Sequence, residues 1–353
     1  MRRRAISSIT GVISLGPRST STFTICVSRS ASSPSILTSS MPEFGLLCFT
    51  SRIAVQMSSK PIRLRGGIDA GGTSFKCGVF DRELKLLSET RVPVTSPDET
   101  LDAVTAYFRR AEAELEADLI SLGIASFGPV DVDRGSPLYG TLLDTPKPGW
   151  SGVALRARLE ASLNCSAVLD TDVNGALLAE MKLGAARGCR SAAYVTVGTG
   201  IGAAIWANGA LTGAPMHPEF GHIAVRPHPD DAEFLSVCSF HDDCLEGFAS
   251  ARAFEARFGS AEALDPAHHG WLMEADYLAQ ACRTLYLSFR VERIVLGGGL
   301  MLAPHLLNKV RSAFIRQMNG YAVAGVTAED LIRTPGLGDR AGMMGAALLC
   351  DLG

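Results

Sequence analysis

The chain has 353 residues, 47% of them hydrophobic and 20% charged, with a formal net charge of −3. That length exceeds what one core usually fills, so two domains are expected, and the ordinary apolar fraction excludes wholesale disorder. No run of about 18 apolar residues is present, which argues against a transmembrane helix, and the near-neutral charge argues against a general nucleic-acid binder.

The first sixty residues differ in kind from the rest. They hold seven basic residues against Glu43 alone, a net +6, which leaves −9 for the remainder. Residues 1–60 are rich in Ser, Thr and Arg, show no sustained helical or alternating period, and receive no packed core. Such a composition suits an organellar transit peptide, for plastid or mitochondrion. The alternatives are a disordered tail or an upstream extension of the gene model, with Met41 or Met57 as the true start and a cytoplasmic protein.

Order begins near Arg63. Residues 63–81 alternate through glycines and read as two short strands joined by a glycine-rich hairpin, and residues 85–94 as a third strand. Ser96 with Glu99 forms a capping box, Pro97 suits the first helical position, and Val104, Tyr107, Phe108 and Leu115 follow at helical spacing. Residues 119–131 read as a buried strand running into a loop. The pattern then repeats in kind: a glycine-interrupted strand pair over 191–211, a helix over 275–289 and an apolar strand over 293–301. Two related units suggest two lobes, with a ligand cleft between them. The long connections 131–150 and 226–246 are expected to be functional or metal-stapled.

Asp69, Ala70, Gly71, Gly72 and Thr73 occupy the first hairpin turn. Glycines let backbone N–H groups approach an anion, Thr73 adds a hydroxyl donor, and Asp69 could orient a hydrated magnesium ion. An ordinary hairpin turn would look the same. Gly198, Thr199 and Gly200 form the matching turn of the second half, and two such loops make a two-sided phosphate clamp more plausible than either alone. Neither loop has the lysine of a P-loop or enters a helix as a dinucleotide fingerprint does. Gly297, Gly298 and Gly299 follow a strand and leave room for a flat ring; a plain strand-to-helix turn is the other reading. Asp170 and Asp172 precede a helical run, where carboxylates serve either as caps or, for one of them, as a general base toward a sugar hydroxyl. Cys238, His241 and Cys244 have a spacing that lets thiolate, imidazole and thiolate converge on one zinc ion, with His222 the best upstream fourth ligand. A Cys238–Cys244 disulfide or free thiols are the alternatives. Glu219, His222 and Glu246 bracket that loop, and such groups bond neutral hydroxyls well. The other histidines, 217, 228, 268, 269 and 305, read as surface or packing residues.

Together these segments resemble the ROK sugar kinases, of the actin-like ATPase superfamily, and most closely their fructokinase branch. The resemblance is carried by GIDAGGTSFKCGVF, ASFGPVD, TPKPGW, DTDVNGALLAE, VTVGTGIGAAIW, HPEFGHIAVRPHPDD, CSFHDDCLEGFAS, IVLGGGLM and GLGDRAGMMGAALL, in order and over nearly the whole chain from Arg63. It implies an α/β, two-lobed actin-like (ribonuclease H-like) fold with a cleft and a zinc-stapled loop. The small lobe would span 61–170, with the C-terminal helix 336–353 returning to it, and the large lobe 171–335. It implies an ATP-dependent fructokinase making fructose 6-phosphate, with Asp172 as catalytic base. Glu219, His222 and Glu246 would contact sugar, together with Gly128, Pro129 and Asn174. Asp69, Gly71, Gly72, Thr73, Lys76, Gly198, Thr199, Gly200 and Gly297 to Gly299 would hold ATP and Mg2+. Structural Zn2+ would sit on His222, Cys238, His241 and Cys244. The loops 126–129 and 145–150 would lie on the sugar side. The family's zinc loop often carries a proline and a glycine where this chain has Ser239 and Asp242. Partners implied are sugar, ATP and a second copy, with no nucleic acid or membrane. Rival readings are a kinase for glucose, mannose or N-acetylmannosamine, or a sugar-sensing regulator, which would need a DNA-binding N-terminal segment.

Overall fold

The computed structural model describes residues 7–14, 20–27, 62–145 and 147–352. The chain divides into two units, residues 1–58 and 59–353. In the first, β1 (Ser7–Ser14) pairs antiparallel with β2 (Thr20–Val27), Ser7 opposite Val27 and Ser14 opposite Thr20. The sequence reading assigns no element there. Both segments are rich in β-branched Thr, Ile and Val, which favour extended backbone. The rest of the expected extension lies outside the described residues.

The second unit is built on two five-stranded mixed sheets. The first has the order β5-β4-β3-β6-β7, with β3 (Ile62–Ala70), β4 (Ser74–Phe80), β5 (Leu86–Pro93), β6 (Ala117–Ser126) and β7 (Ser166–Thr171). β3, β4 and β5 form an antiparallel meander, and β3, β6 and β7 run parallel. The second has the order β10-β9-β8-β11-β12, with β8 (Ala192–Val197), β9 (Ile201–Ala207), β10 (Ala210–Leu211), β11 (Arg293–Gly297) and β12 (Ile332–Arg333). Here too a hairpin pairs with parallel strands, β8, β11 and β12.

Helix α1 (Pro97–Leu115) starts where the local signals place it. Ser96 Oγ accepts from Glu99 N at 3.4 Å and Pro97 fills the first turn. Its Leu101, Val104, Tyr107 and Phe108 are buried in the first sheet's core, beside Leu155, Leu159 and Leu163 of α2 (Leu155–Leu163). The second sheet's core takes α4 (Leu245–Ala249), α5 (Ala251–Phe258), α6 (Gly270–Phe289), α7 (Leu306–Met318) and α8 (Ala328–Leu331). Trp271, Tyr277, Phe254 and Phe314 are wholly buried there, each contributing about 1.5–3 kcal/mol of transfer free energy.

Two helices join the sheets. α3 (Asp172–Leu183) packs on β8 and β9, α9 (Ala341–Leu349) packs on β3 and β6, and the two pack on each other. Glycines permit the close approach. A Cβ on Gly345 would strike Gly175 O, one on Gly67 Met343 O, and one on Gly123 Ala346 O. Buried Glu180 of α3 accepts from Ala185 N at 2.6 Å, Gly336 N at 2.9 Å and Leu337 N at 3.1 Å, fixing the segment that leads into α9. Among the described residues, no helix is long and apolar enough to cross a membrane.

Candidate active site

The residues singled out for chemistry cluster at the carboxyl ends of the parallel strands, the usual ligand edge of such sheets. Asp69 lies near the end of β3, Ser126 ends β6, Asp172 follows β7, Val197 ends β8 and Gly297 ends β11.

Asp172 is the first residue of α3, but it does not cap the helix. Thr171 does, accepting from Asn174 N at 3.2 Å, while Asp172 Oδ1 accepts from its neighbour Val173 N at 2.8 Å. Asp170 accepts from Thr171 N at 2.7 Å and Asn174 Nδ2 at 2.6 Å. Asp170 therefore holds the turn and Asp172 keeps an oxygen free of backbone duties. Asp172 is exposed by surface area yet surrounded by protein atoms at the end of β7. That enclosure, and then the Asp69 carboxylate, raise its pKa to about 6, with His217 pulling the other way. Asn174 is buried, and its Oδ1 has no hydrogen-bond partner.

Asp69 is likewise raised, by burial first and Asp339 to a lesser extent, against the lowering effect of Lys76. Lys76 lies opposite Asp69 in the β3–β4 register, with Nζ 3.7 Å from Asp69 Oδ2 and in contact with Asp339 Oδ1. The start of α9 backs this corner, since a Cβ on Gly342 would lie 2.6 Å from the Asp69 carboxylate. Gly71 N donates to Ser74 O at 3.2 Å, and the faces of Gly72 and Thr73 are exposed. Phe127 N donates to Ala70 O at 2.9 Å, which holds the 126–129 loop, with Gly128 and Pro129, against this turn. Trp150, at the end of the 145–150 loop, is wholly buried between Phe75 and Phe127. Pro146 of that loop lies outside the described residues.

On the second sheet, Gly198 N donates to Gly200 O at 3.0 Å across the β8–β9 turn, and Thr199 is exposed at its tip. Ile201 N donates to Glu246 Oε2 at 2.9 Å, and a Cβ on Gly200 would lie 2.6 Å from the same oxygen. Gly298 has φ 92°, and a Cβ there would strike Val197; Gly299 has an open face. Glycine is thus required at Gly298 and leaves an uncovered surface at Gly299.

Glu219 is exposed and accepts from His217 Nε2 at 3.1 Å. This bond raises the histidine's pKa and lowers the carboxyl's. His217 Nδ1 is buried without a partner, and the ring feels both Asp170 and Asp172. The sequence reading places His217 among surface or packing residues, and the structure places it between the two acidic groups of the site. The signal available was its position two residues before Glu219. His228 caps a short turn, accepting from Asp230 N at 3.2 Å, and His305 packs edge-on against Trp271.

His222, Cys238, His241 and Cys244 converge, their donor atoms all within 4.8 Å of one another. Cys238 Sγ is 3.8 Å from both His222 Nδ1 and His241 Nδ1. Tetrahedral ligands at ordinary zinc bond lengths sit about 3.6 Å apart, so two thiols and two imidazoles here fit one such metal. Cys238 and Cys244 are both free, not disulfide-bonded.

The profile of the ROK family matches residues 65–352. Over 290 residues the chain is 41% identical to a fructokinase of Zymomonas mobilis, covering 81% of this chain and 96% of that one. Its fold is similar to a ROK hexokinase from Thermus thermophilus, with a TM-score of 0.69 and 30% identity over 82% of this chain and 98% of that one. A ROK family glucokinase from Streptomyces griseus, in complex with glucose and AMPPNP, aligns with a TM-score of 0.66 and 26% identity over 82% of this chain and all (100%) of that one. The two-sheet architecture, the glycine turns at matching strand ends and the profile agree: this chain belongs to the ROK family.

Proposed function

We propose that this chain is an ATP-dependent fructokinase, transferring the γ-phosphoryl group to the 6-hydroxyl of D-fructose to give fructose 6-phosphate. The observation that carries the sugar is that identity to the Zymomonas fructokinase exceeds identity to the hexokinase and the glucokinase over a similar span. The chemistry rests on Asp172. A carboxyl near pKa 6 at the end of β7 is ionised at neutral pH and basic enough to accept the hydroxyl proton as the oxygen attacks phosphorus. Phosphoryl transfer asks little more of a protein than positioning and charge stabilisation. Glu219, His222 and Glu246 hold the sugar hydroxyls, Gly128, Pro129 and Asn174 line the sugar side, and the glycine loops hold ATP.

Two ions belong to this proposal. The Cys and His donor set suits a structural zinc, which leaves no open position for chemistry and would fix the loop carrying Glu246. Asp69, a carboxylate close enough to Asp172 to raise its pKa, suits the shell of a magnesium ion that neutralises phosphate charge. We further propose a homodimer, which sedimentation tests. Import into plastid or mitochondrion is proposed from the composition of residues 1–60, and is tested by fusing them to a fluorescent protein.

The deciding experiment is turnover of a hexose panel with ATP by the purified enzyme. Fructose should give the highest kcat/KM. Preference for glucose, mannose or N-acetylmannosamine would replace the sugar, and DNA binding without sugar-dependent ATP turnover would replace the enzyme.

A further inference from the structure

Arg257 stands behind the sugar-side residues, on α5. Its side chain is 5% exposed, and its partners Asp231 and Glu274 are 4% and 0% exposed. Nη1 donates to Asp231 Oδ2 at 2.6 Å, and Nη2 donates to Phe248 O and lies 3.9 Å from Glu274 Oε2. The rings of Phe234, Phe258 and Tyr277 enclose the guanidinium at 4.6, 5.3 and 5.7 Å. Tyr277 OH donates to Asp231 Oδ2 at 2.7 Å and accepts from His228 N at 2.9 Å. Neither oxygen of Glu274 has a hydrogen-bond partner, and burial holds its carboxyl well above the usual range. The cluster is therefore one buried ion pair beside a buried carboxyl without a hydrogen-bond partner. Apolar side chains of similar volume often stabilise a core as well or better, so a buried guanidinium points to a task other than stability.

What the guanidinium grips is the short helix α4. Phe248 O lies in its last turn, and Glu246 projects from it. The other end is held by the metal group: Cys244 Sγ accepts from Gly247 N at 3.4 Å, and Val237 N donates to Gly247 O at 3.1 Å. α4 and the residues after it touch the second glycine turn twice, through Ile201 N to Glu246 at 2.9 Å and Ala251 N to Gly198 O at 2.7 Å. A helix of five residues has little stability of its own, so its two anchors set its place.

We infer that Arg257 is a positioning residue for phosphoryl transfer: by holding Phe248 O against Asp231 it fixes α4, and through α4 it sets Glu246 toward the sugar and the Gly198 turn toward the phosphates. This rests on the assignment of those two groups to sugar and ATP.

Arg257→Lys keeps a positive charge beside Asp231 but cannot reproduce a fork bonding in two directions. The expected result is a rise of about fivefold or more in KM for sugar and ATP, with bound metal unchanged and faster hydrogen exchange at the α4 amides. Tyr277→Phe is the control. It weakens the same core without touching Phe248 O, and should lower Tm while KM stays within about twofold of wild type. A folded Arg257→Lys enzyme with wild-type KM values and α4 exchange overturns the proposal, as does a KM rise that Tyr277→Phe matches. If Arg257→Lys does not fold, Asp231→Asn takes its place with the same expectations, and loss of the fold in both assigns the cluster to stability alone. Wild type is run against the hexose panel alongside. Its failure there counts against the fructokinase assignment, whereas α4 exchange still reports on Arg257.

Discussion

Replacing Asp172 by Asn separates the cost of this residue from its use. Its pKa rises from an ordinary 3.8 to about 6, first because the surrounding protein withdraws it from bulk water and next because of Asp69. At about 1.4 kcal/mol per pH unit the rise is worth about 3 kcal/mol, and the solvent exposure of Asp172 cuts this to roughly 1–2 kcal/mol. The sign follows from the direction. A carboxyl with a raised native pKa favours the fold while protonated, below about 3.8, and that contribution is lost as pH rises through about 6. Asn cannot ionise, so Asp172→Asn should be the more stable protein above that range. Losing a negative charge at the α3 N-terminus takes back about 0.3–1 kcal/mol. The net gain is about 1 kcal/mol, or about 2 °C in Tm. Denaturant melts of both proteins at about pH 8 and about pH 4 read it, and the gap should close at the lower pH. Turnover should fall about 100- to 10,000-fold while sugar binding survives. A stability gap absent or independent of pH would refute the electrostatic reasoning, and near-normal turnover would remove Asp172 as the base.

Wild-type kcat/KM should drop about tenfold between about pH 7 and about pH 5, as one base titrating near 6 requires; a flat profile there would speak against it. Metal analysis should find about one zinc per chain, and chelation should abolish activity while loosening the loop that carries Cys238, His241 and Cys244. Full activity and unchanged Tm after metal removal would dismiss the staple. Gly123→Ala should cost about 1–3 kcal/mol or more by denaturant titration, because its Cβ meets Ala346 O and the helix α9 must shift. An unchanged midpoint would mean that α9 is not seated as described.

Much of the fold was legible because its signals are local. The capping box at Ser96 and Glu99, the glycine turn after Ala70 and the apolar strand before Gly297 are each written in a few adjacent residues. The Cys and His cluster was legible for a similar reason, since three of its four donor residues fall within seven residues. Its fourth, His222, needed the chain to return on itself. His217 could not be placed, because only the folded chain brings it between Glu219 and the Asp170–Asp172 turn. The strand pair in the first unit was missed because the many Ser residues read as unstructured, whereas the interleaved Thr, Ile and Val favour extended pairing.

By itself the sequence determined the first hairpin and α1, the second hairpin, the strand before Gly297, where the glycine turns fall and which side chains can carry the chemistry, because backbone propensity and side-chain type are properties of neighbours along the chain. The tertiary structure alone decided that α3 and α9 meet through bare glycine backbone. It also decided that Asp170 supports while Asp172 stands free at a raised pKa, and that Arg257 reaches α4. Those outcomes depend on how close residues far apart in sequence come and how much water is left between them, and neither is encoded at any one position.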